Sequence, residues 1–159
     1  MVELNDLLSA TRGQLHGERY ASRFTELAFD SRRIEPRVGR DTERLSRAAS
    51  DRSAYGPLFV AVKSDTGDGH DYILDALRRG ATGVLCQRVP PHLPSGVTCL
   101  LVQDTRRALL DWARYILDKY GPQVIGVTGS SGKTTTRRLL ASIVGVRHAS
   151  VGSSGLVTS

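Results

Sequence analysis

VIGVTGSSGKTTTRRLL, residues 124–140, combines a short apolar run with three glycines, a lysine and three consecutive threonines. Gln123 to Val127 is rich in β-branched residues and predicts a buried strand. Gly126, Gly129 and Gly132 allow backbone angles closed to other residues and let a ligand approach the main chain. From Lys133 the pattern turns helical, with Leu139, Leu140, Ile143 and Val144 on one face. Strand, glycine-rich turn and helix N-terminus make an anion site, because N–H groups without intrahelical partners and the helix dipole converge on bound charge. Gly129, Ser130, Ser131, Gly132, Lys133, Thr134 and Thr135 are therefore candidate phosphate-binding residues. Lys133 is placed to reach the β- and γ-phosphates of ATP, and the Thr134 hydroxyl to ligate Mg²⁺. The general phosphate-loop pattern has glycine where this chain has Val127, so the loop is a T-G-S-x-G-K-T-T variant.

Upstream, strands and helices alternate. Val2 to Ala10 predicts a short helix with Leu4, Leu7 and Leu8 inward. FTELAFDSRRI, residues 24–34, predicts a strand ending at Asp30-Ser31-Arg32. PLFVAV, residues 57–62, is an apolar run that reads as a buried strand. A helix over Asp71–Arg79, a glycine stop at Gly80 and a strand over Gly83–Gln87 follow. VPPHLPSG is a proline-rich loop and VTCLLV another buried strand. Asp104 to Tyr120 predicts a long helix with Ala108, Leu109, Trp112, Ala113, Ile116 and Leu117 on one face, closed by Gly121-Pro122. The alternation implies an α/β fold with a largely parallel sheet and ligand loops at the carboxyl ends of its strands. The phosphate loop opens a new unit after a complete one, which places a domain boundary near Gly121. Arg37 to Tyr55 is too polar for core and reads as an exposed or disordered loop.

With 40% hydrophobic and 24% charged residues, the composition is that of a soluble globular protein. No apolar run approaches the ~20 residues of a membrane span. The N-terminus lacks the basic flank and apolar core of a signal peptide, so the cytoplasm is the expected compartment. The net charge is +6, and arginine supplies nearly all of the positive charge. That suits nucleic acid or an anionic small molecule. Without an aromatic stacking motif or an RNA-binding signature, no nucleic-acid partner is expected. Cys86 and Cys99 lie in apolar runs without metal-ligand spacing and read as reduced core thiols. His16, His92 and His148 share no ligand spacing, and Trp112 falls at core spacing. Asp30-Ser31-Arg32 is either a capped turn or a ligand contact at a strand end. Asp68 reads as a helix cap, and His70 as a residue holding the turn.

AFDSRRI, PLFVAV, DGHDYILDALRRGATGVL, LLVQDTRRALLDWARYI and the phosphate loop follow one another as in the Mur ligases, which the chain resembles over nearly its whole length. The resemblance implies an N-terminal UDP-sugar-binding domain over residues 1–120, with a polar insertion at 37–55. Residues 121–159 would open the central ATPase domain. It implies an ATP-dependent acid–amino-acid ligase of peptidoglycan synthesis, with UDP-MurNAc-peptide as substrate and an amino acid or D-alanyl-D-alanine as the incoming amine. ATP phosphorylates the substrate carboxylate and the amine displaces phosphate, with Lys133 and Mg²⁺ stabilising the developing charge. Ser31, Arg32, Asp65 and Thr66 would line the UDP-sugar pocket.

TGSSGKTTT and DTRRALLDWA resemble the type that adds D-alanyl-D-alanine. VGSSG resembles the type that adds the third residue, diaminopimelate or lysine. The G-N-x-N-N signature of the dipeptide type is absent. In the family the central domain continues beyond the counterpart of Ser159 with a metal-binding glutamate, a carbamylated lysine and a histidine. A further domain then shapes the amino-acid site. The resemblance thus implies that this chain alone is inactive, a nucleotide-binding fragment of the ligase.

Overall fold

A computed structural model describes residues 1–34, 56–65 and 67–146. The expectations for Arg37–Tyr55 and Thr66 fall outside the described residues. Contacts divide the chain into two units, Met1–Gly121 and Pro122–Ser159.

The first unit is built on a five-stranded mixed sheet. Its strands are β2 (Gln14–His16), β4 (Leu27–Ala28), β5 (Leu58–Val60), β8 (Gly83–Cys86) and β9 (Thr98–Leu101). Their order across the sheet is β2-β9-β8-β5-β4. The β4, β5, β8 and β9 pairings are all parallel, and only the edge strand β2 runs antiparallel to β9. The α/β class and the largely parallel sheet are thus as the alternation predicts.

Side-chain alternation with period two sends neighbouring residues to opposite faces. Phe59, Val84, Cys86 and Cys99 join one core with Ala28, Ile73 and Ala76. Leu58, Val60, Leu85 and Leu100 join the other with Leu4, Leu7 and Ala108. Both faces are therefore covered, which is why these strands read as continuous apolar runs. Helix α1 (Leu4–Thr11) and helix α3 (Thr105–Tyr120) cover one face, and helix α2 (Ile73–Arg78) covers the other. Cys86 and Cys99 are fully buried core residues with Sγ atoms 3.7 Å apart.

Caps set the helix ends. The Asp104 carboxylate accepts from the Arg107 N–H at 2.9 Å, and Gly121 closes α3 at φ +53°. Gly80 closes α2 at φ +110°. There the Gly80 N–H donates to the Leu77 carbonyl and the Ala81 N–H to the Ala76 carbonyl, a Schellman closure.

Several boundaries differ from expectation. Val2–Glu3 is a strand, β1, rather than the first turn of a helix. It pairs antiparallel with β3 (Arg23–Phe24), and the Arg23 guanidinium meets Glu3 at 2.8 Å. The single strand expected through residues 24–30 is two. β3 pairs with β1, and the chain then shifts sheets so that β4 pairs with β5. Phe24 is fully buried by this arrangement. The α2 region begins with a 3-10 turn, Gly69–Tyr72, before the α-helix. On α3, Ala113 and Leu117 are exposed. That half of the helix meets α1 through polar contacts, with Tyr115 Oη donating to Asp6 at 2.8 Å and Lys119 Nζ at 2.7 Å.

The second unit contains helix α4 (Lys133–Gly145), which begins at the predicted residue. Gln123–Val127 is not a buried strand. Among the described residues no strand pairs with it, and Val124 and Ile125 are exposed. A strand requires a hydrogen-bonded neighbour as well as an apolar sequence.

Candidate functional site

Two places gather the candidate residues, one in each unit. The first is the rim at the carboxyl ends of the parallel strands, where loops leave β4, β5, β8 and β9. Open α/β sheets bind ligands at such rims.

The loop after β4 carries Asp30, Ser31 and Arg32. Asp30 caps a 3-10 turn over Ser31–Arg33, accepting from the Arg32 N–H at 3.0 Å. It also takes two guanidinium bonds from Arg32, Nε at 2.9 Å and Nη2 at 2.8 Å. These side-chain bonds, with the backbone bond, hold the Asp30 carboxyl down at about 2. The Arg32 side chain is 82% exposed. Ser31 is buried. The Ser31 side chain, then the Arg79 guanidinium at 3.0 Å, holds the Asp75 carboxyl on α2 below the usual carboxylate range.

The loop after β5 forms a small hairpin, β6 (Lys63–Ser64) and β7 (Gly67–Asp68), with Asp65 at its tip. Asp68 caps the following 3-10 turn, accepting from the His70 N–H at 2.9 Å. The His70 ring is 5% exposed, with Nδ1 2.5 Å from Asp68 Oδ1. Its Nε2 accepts from the Gln87 N–H at 2.9 Å, in the loop after β8. An Nε2 that accepts leaves the proton on Nδ1, so the network selects the neutral Nδ1–H tautomer. Arg88 Nη2 reaches Asp68 Oδ2 at 3.1 Å. The His70 N–H and ring, then Arg88, hold the Asp68 carboxyl below its ordinary range. Gln87 Nε2 donates to the Gln103 carbonyl at 3.0 Å, in the loop after β9.

Of the sequence-predicted substrate residues, Ser31, Arg32 and Asp65 thus lie in the rim loops after β4 and β5. Asp75, Gln87 and Arg88 were not singled out from the sequence. Gln87 and Arg88 directly follow a buried strand at its carboxyl end, and that position was the available signal.

The second place is the phosphate loop. Gly129 and Gly132 take φ +146° and +76°. Gly132 is the N-cap of α4 and supplies no capping side chain. The helix opens with the Thr136 N–H donating to the Gly132 carbonyl at 2.9 Å. The first-turn N–H groups of Lys133, Thr134 and Thr135 therefore precede the intrahelical ladder. Lys133 Nζ folds back over the loop and donates to the Gly129 carbonyl. Ser130, Ser131, Thr134 and Thr135 are exposed around it. A Cβ at Gly132 would meet nothing within 4 Å, so the loop is open on that side. Helix N-terminus, open glycine loop and one folded-back ammonium fit a polyphosphate. Among the described residues, no group of three His, Cys, Asp or Glu side chains is placed to hold a metal ion. No helix among them is long and apolar enough to cross a membrane.

No protein-family model matches the chain. Similarity to individual proteins is clear. The chain is 44% identical over 103 residues to the UDP-N-acetylmuramoyl-L-alanyl-D-glutamate–2,6-diaminopimelate ligase of Chlorobium phaeobacteroides. That match covers 61% of this chain and 20% of the relative. The fold superposes, with a TM-score of 0.68, on the UDP-N-acetylmuramoylalanyl-D-glutamyl-2,6-diaminopimelate–D-alanyl-D-alanyl ligase of Acinetobacter baumannii. Identity there is 26%, over 92% of this chain and 28% of the solved one. The MurF ligase of Thermotoga maritima, solved in complex with ADP, is 30% identical with a TM-score of 0.50. It covers 83% of this chain and 25% of the solved one. The chain spans between 20% and 28% of the length of these proteins.

Proposed function

Because the chain belongs to the Mur ligase family, we propose that it is the UDP-sugar-recognising and phosphate-binding part of an ATP-dependent ligase that adds D-alanyl-D-alanine to a UDP-MurNAc-peptide. The observation that carries the D-alanyl-D-alanine reading is the likeness to the Acinetobacter ligase, which extends over 92% of the chain. The diaminopimelate-adding activity is the second reading, favoured by the higher identity to the Chlorobium ligase over a shorter stretch.

In this reading residues 1–120 form the UDP-sugar-binding domain, with 37–55 inserted, and 121–159 open the ATP-binding domain. The working compartment is the cytoplasm, where ATP is available. ATP supplies the phosphoryl group that activates a carboxylate for attack by an amine. Loop N–H groups hold its phosphates, and the Lys133 ammonium neutralises charge there. The Thr134 hydroxyl would ligate the accompanying Mg²⁺. Ser31, buried in the loop after β4, contacts the UDP-sugar. Arg32 retains guanidinium N–H groups beyond the two that Asp30 takes, and an arginine fork suits a diphosphate. Asp65 and Thr66 flank the same ligand.

Titrating the 159-residue chain with UDP-MurNAc-tripeptide, without ATP, tests the assignment of the two units. Amide resonances at Ser31, Arg32, Asp65 and Thr66 are expected to move. Shifts confined to residues after Gly121 would contradict it.

A further inference from the structure

The Asp68-Gly69-His70 step ties together three loops of the rim, and the proposed function gives those loops a ligand. Building on that reading, we propose that His70, as the neutral Nδ1–H imidazole between Asp68 and the Gln87 N–H, is a positioning residue that fixes the geometry of the UDP-sugar rim.

Four observations carry this. First, His70 is bonded at both ring nitrogens, to Asp68 at 2.5 Å and to the Gln87 N–H at 2.9 Å, with its ring 5% exposed. A buried imidazole bonded at both nitrogens has one orientation and one tautomer. Second, its partners belong to different loops. Asp68 ends the hairpin after β5, and Gln87 begins the loop after β8. Gln87 in turn bonds the Gln103 carbonyl beyond β9 at 3.0 Å, so a continuous strap crosses three neighbouring strand ends.

Third, the turn leaves no space for another residue before the histidine. A Cβ at Gly69 would stand 2.7 Å from the Val62 nitrogen and 2.8 Å from its carbonyl oxygen. The Gly69 N–H donates to that carbonyl at 2.9 Å. Glycine therefore lets the hairpin close onto β5 and delivers the imidazole to Gln87. Fourth, the charged groups around the ring are themselves arranged. Arg88 bonds the other oxygen of Asp68 at 3.1 Å and lies 3.6 Å from Asp71, so the acidic side of the imidazole is neutralised from the β8 loop. Asp65 sits at the tip of the hairpin that this strap holds. Release of His70 frees that tip from the β8 side of the rim without touching the core.

Two variants separate positioning from packing. The His70→Gln carbonyl reaches the Nε2 position and accepts the Gln87 N–H, whereas His70→Phe keeps a ring of similar shape and loses both bonds. In the ¹⁵N-labelled wild-type chain, the His70 ring is expected to carry its proton on Nδ1, with Nε2 unprotonated. His70→Phe is expected to speed Gln87 amide exchange and weaken UDP-MurNAc-tripeptide binding by calorimetry, each about tenfold, as the loss of a buried hydrogen bond predicts. His70→Gln should restore both to within about threefold, a residue of imperfect geometry.

A proton found on Nε2, or His70→Phe exchange equal to wild type, would overturn the strap. Faster exchange with unchanged affinity would overturn the positioning role. If wild type itself does not bind the UDP-sugar, the proposed function fails, while the ring tautomer and Gln87 exchange still decide whether the strap exists. Should His70→Phe not fold, the wild-type tautomer and the His70→Gln affinity decide it.

Discussion

Lys133→Ala in the complete ligase is expected to lower kcat for amine-dependent phosphate release by about a hundred- to a thousandfold, as loss of one preorganised charge-stabilising group does. The reason lies in where that ammonium sits. It folds over the loop onto the Gly129 carbonyl, beside the first-turn N–H groups of α4, and no other lysine or arginine lies among residues 122–132. Lys133→Arg should rescue little, because a planar fork does not reproduce a compact point charge. The substitution leaves the first unit untouched, since the Lys133 side chain bonds a carbonyl of its own loop. Circular dichroism and melting should therefore stay near wild type. A variant with near-normal turnover would remove the phosphate-loop assignment.

The second large effect is on stability. Phe59→Ala is expected to destabilise the first unit by about 3–5 kcal/mol, the usual cost of deleting a buried phenyl ring. Phe59 lies on β5, between β8 and β4, and is 1% exposed in the same core as Ile73, Ala76, Val84, Cys86 and Cys99. The α2 face therefore loses its largest side chain. A domain of this size has only about 5–15 kcal/mol in total, so the variant should approach the folding threshold. Trp112 is the only tryptophan and packs in the first unit, so its fluorescence through a urea titration reads that unit selectively. Val124→Ala, at a position 72% exposed, should shift the midpoint by less than about 0.5 kcal/mol equivalent. A Phe59→Ala loss below about 1 kcal/mol would mean that the phenyl ring does not anchor this core.

These expectations show which parts of the molecule the sequence discloses. The buried strands were legible because parallel strands covered on both faces leave uninterrupted apolar runs, as at residues 58–60, 83–86 and 98–101. Helices closed by glycine were legible for a local reason, since Gly80 and Gly121 carry the left-handed turn themselves. The glycine-rich turn into α4 was legible because its residues are contiguous. What escaped was non-local. The break between β3 and β4 depends on Val2–Glu3 offering Phe24 a partner, and nothing in residues 23–28 announces it. The influence of Ser31 on the Asp75 carboxyl, 44 positions away in the chain, has no local signal either. His70 holds its turn as the sequence suggests, and only its second bond, to Gln87, escapes, because a spacing of 17 carries no periodic signal. Gln123–Val127 was read as a strand from composition, while pairing depends on a neighbour that composition does not contain.

As proposed above, this chain is part of a ligase that joins D-alanyl-D-alanine to a UDP-MurNAc-peptide. The direct measurement is phosphate release by the complete ligase with ATP and Mg²⁺, comparing two substrate pairs. One is UDP-MurNAc-tripeptide with D-alanyl-D-alanine, and the other is UDP-MurNAc-dipeptide with diaminopimelate. Release with the first pair and not the second is the predicted result. Release with the second pair alone, or with neither, would contradict it.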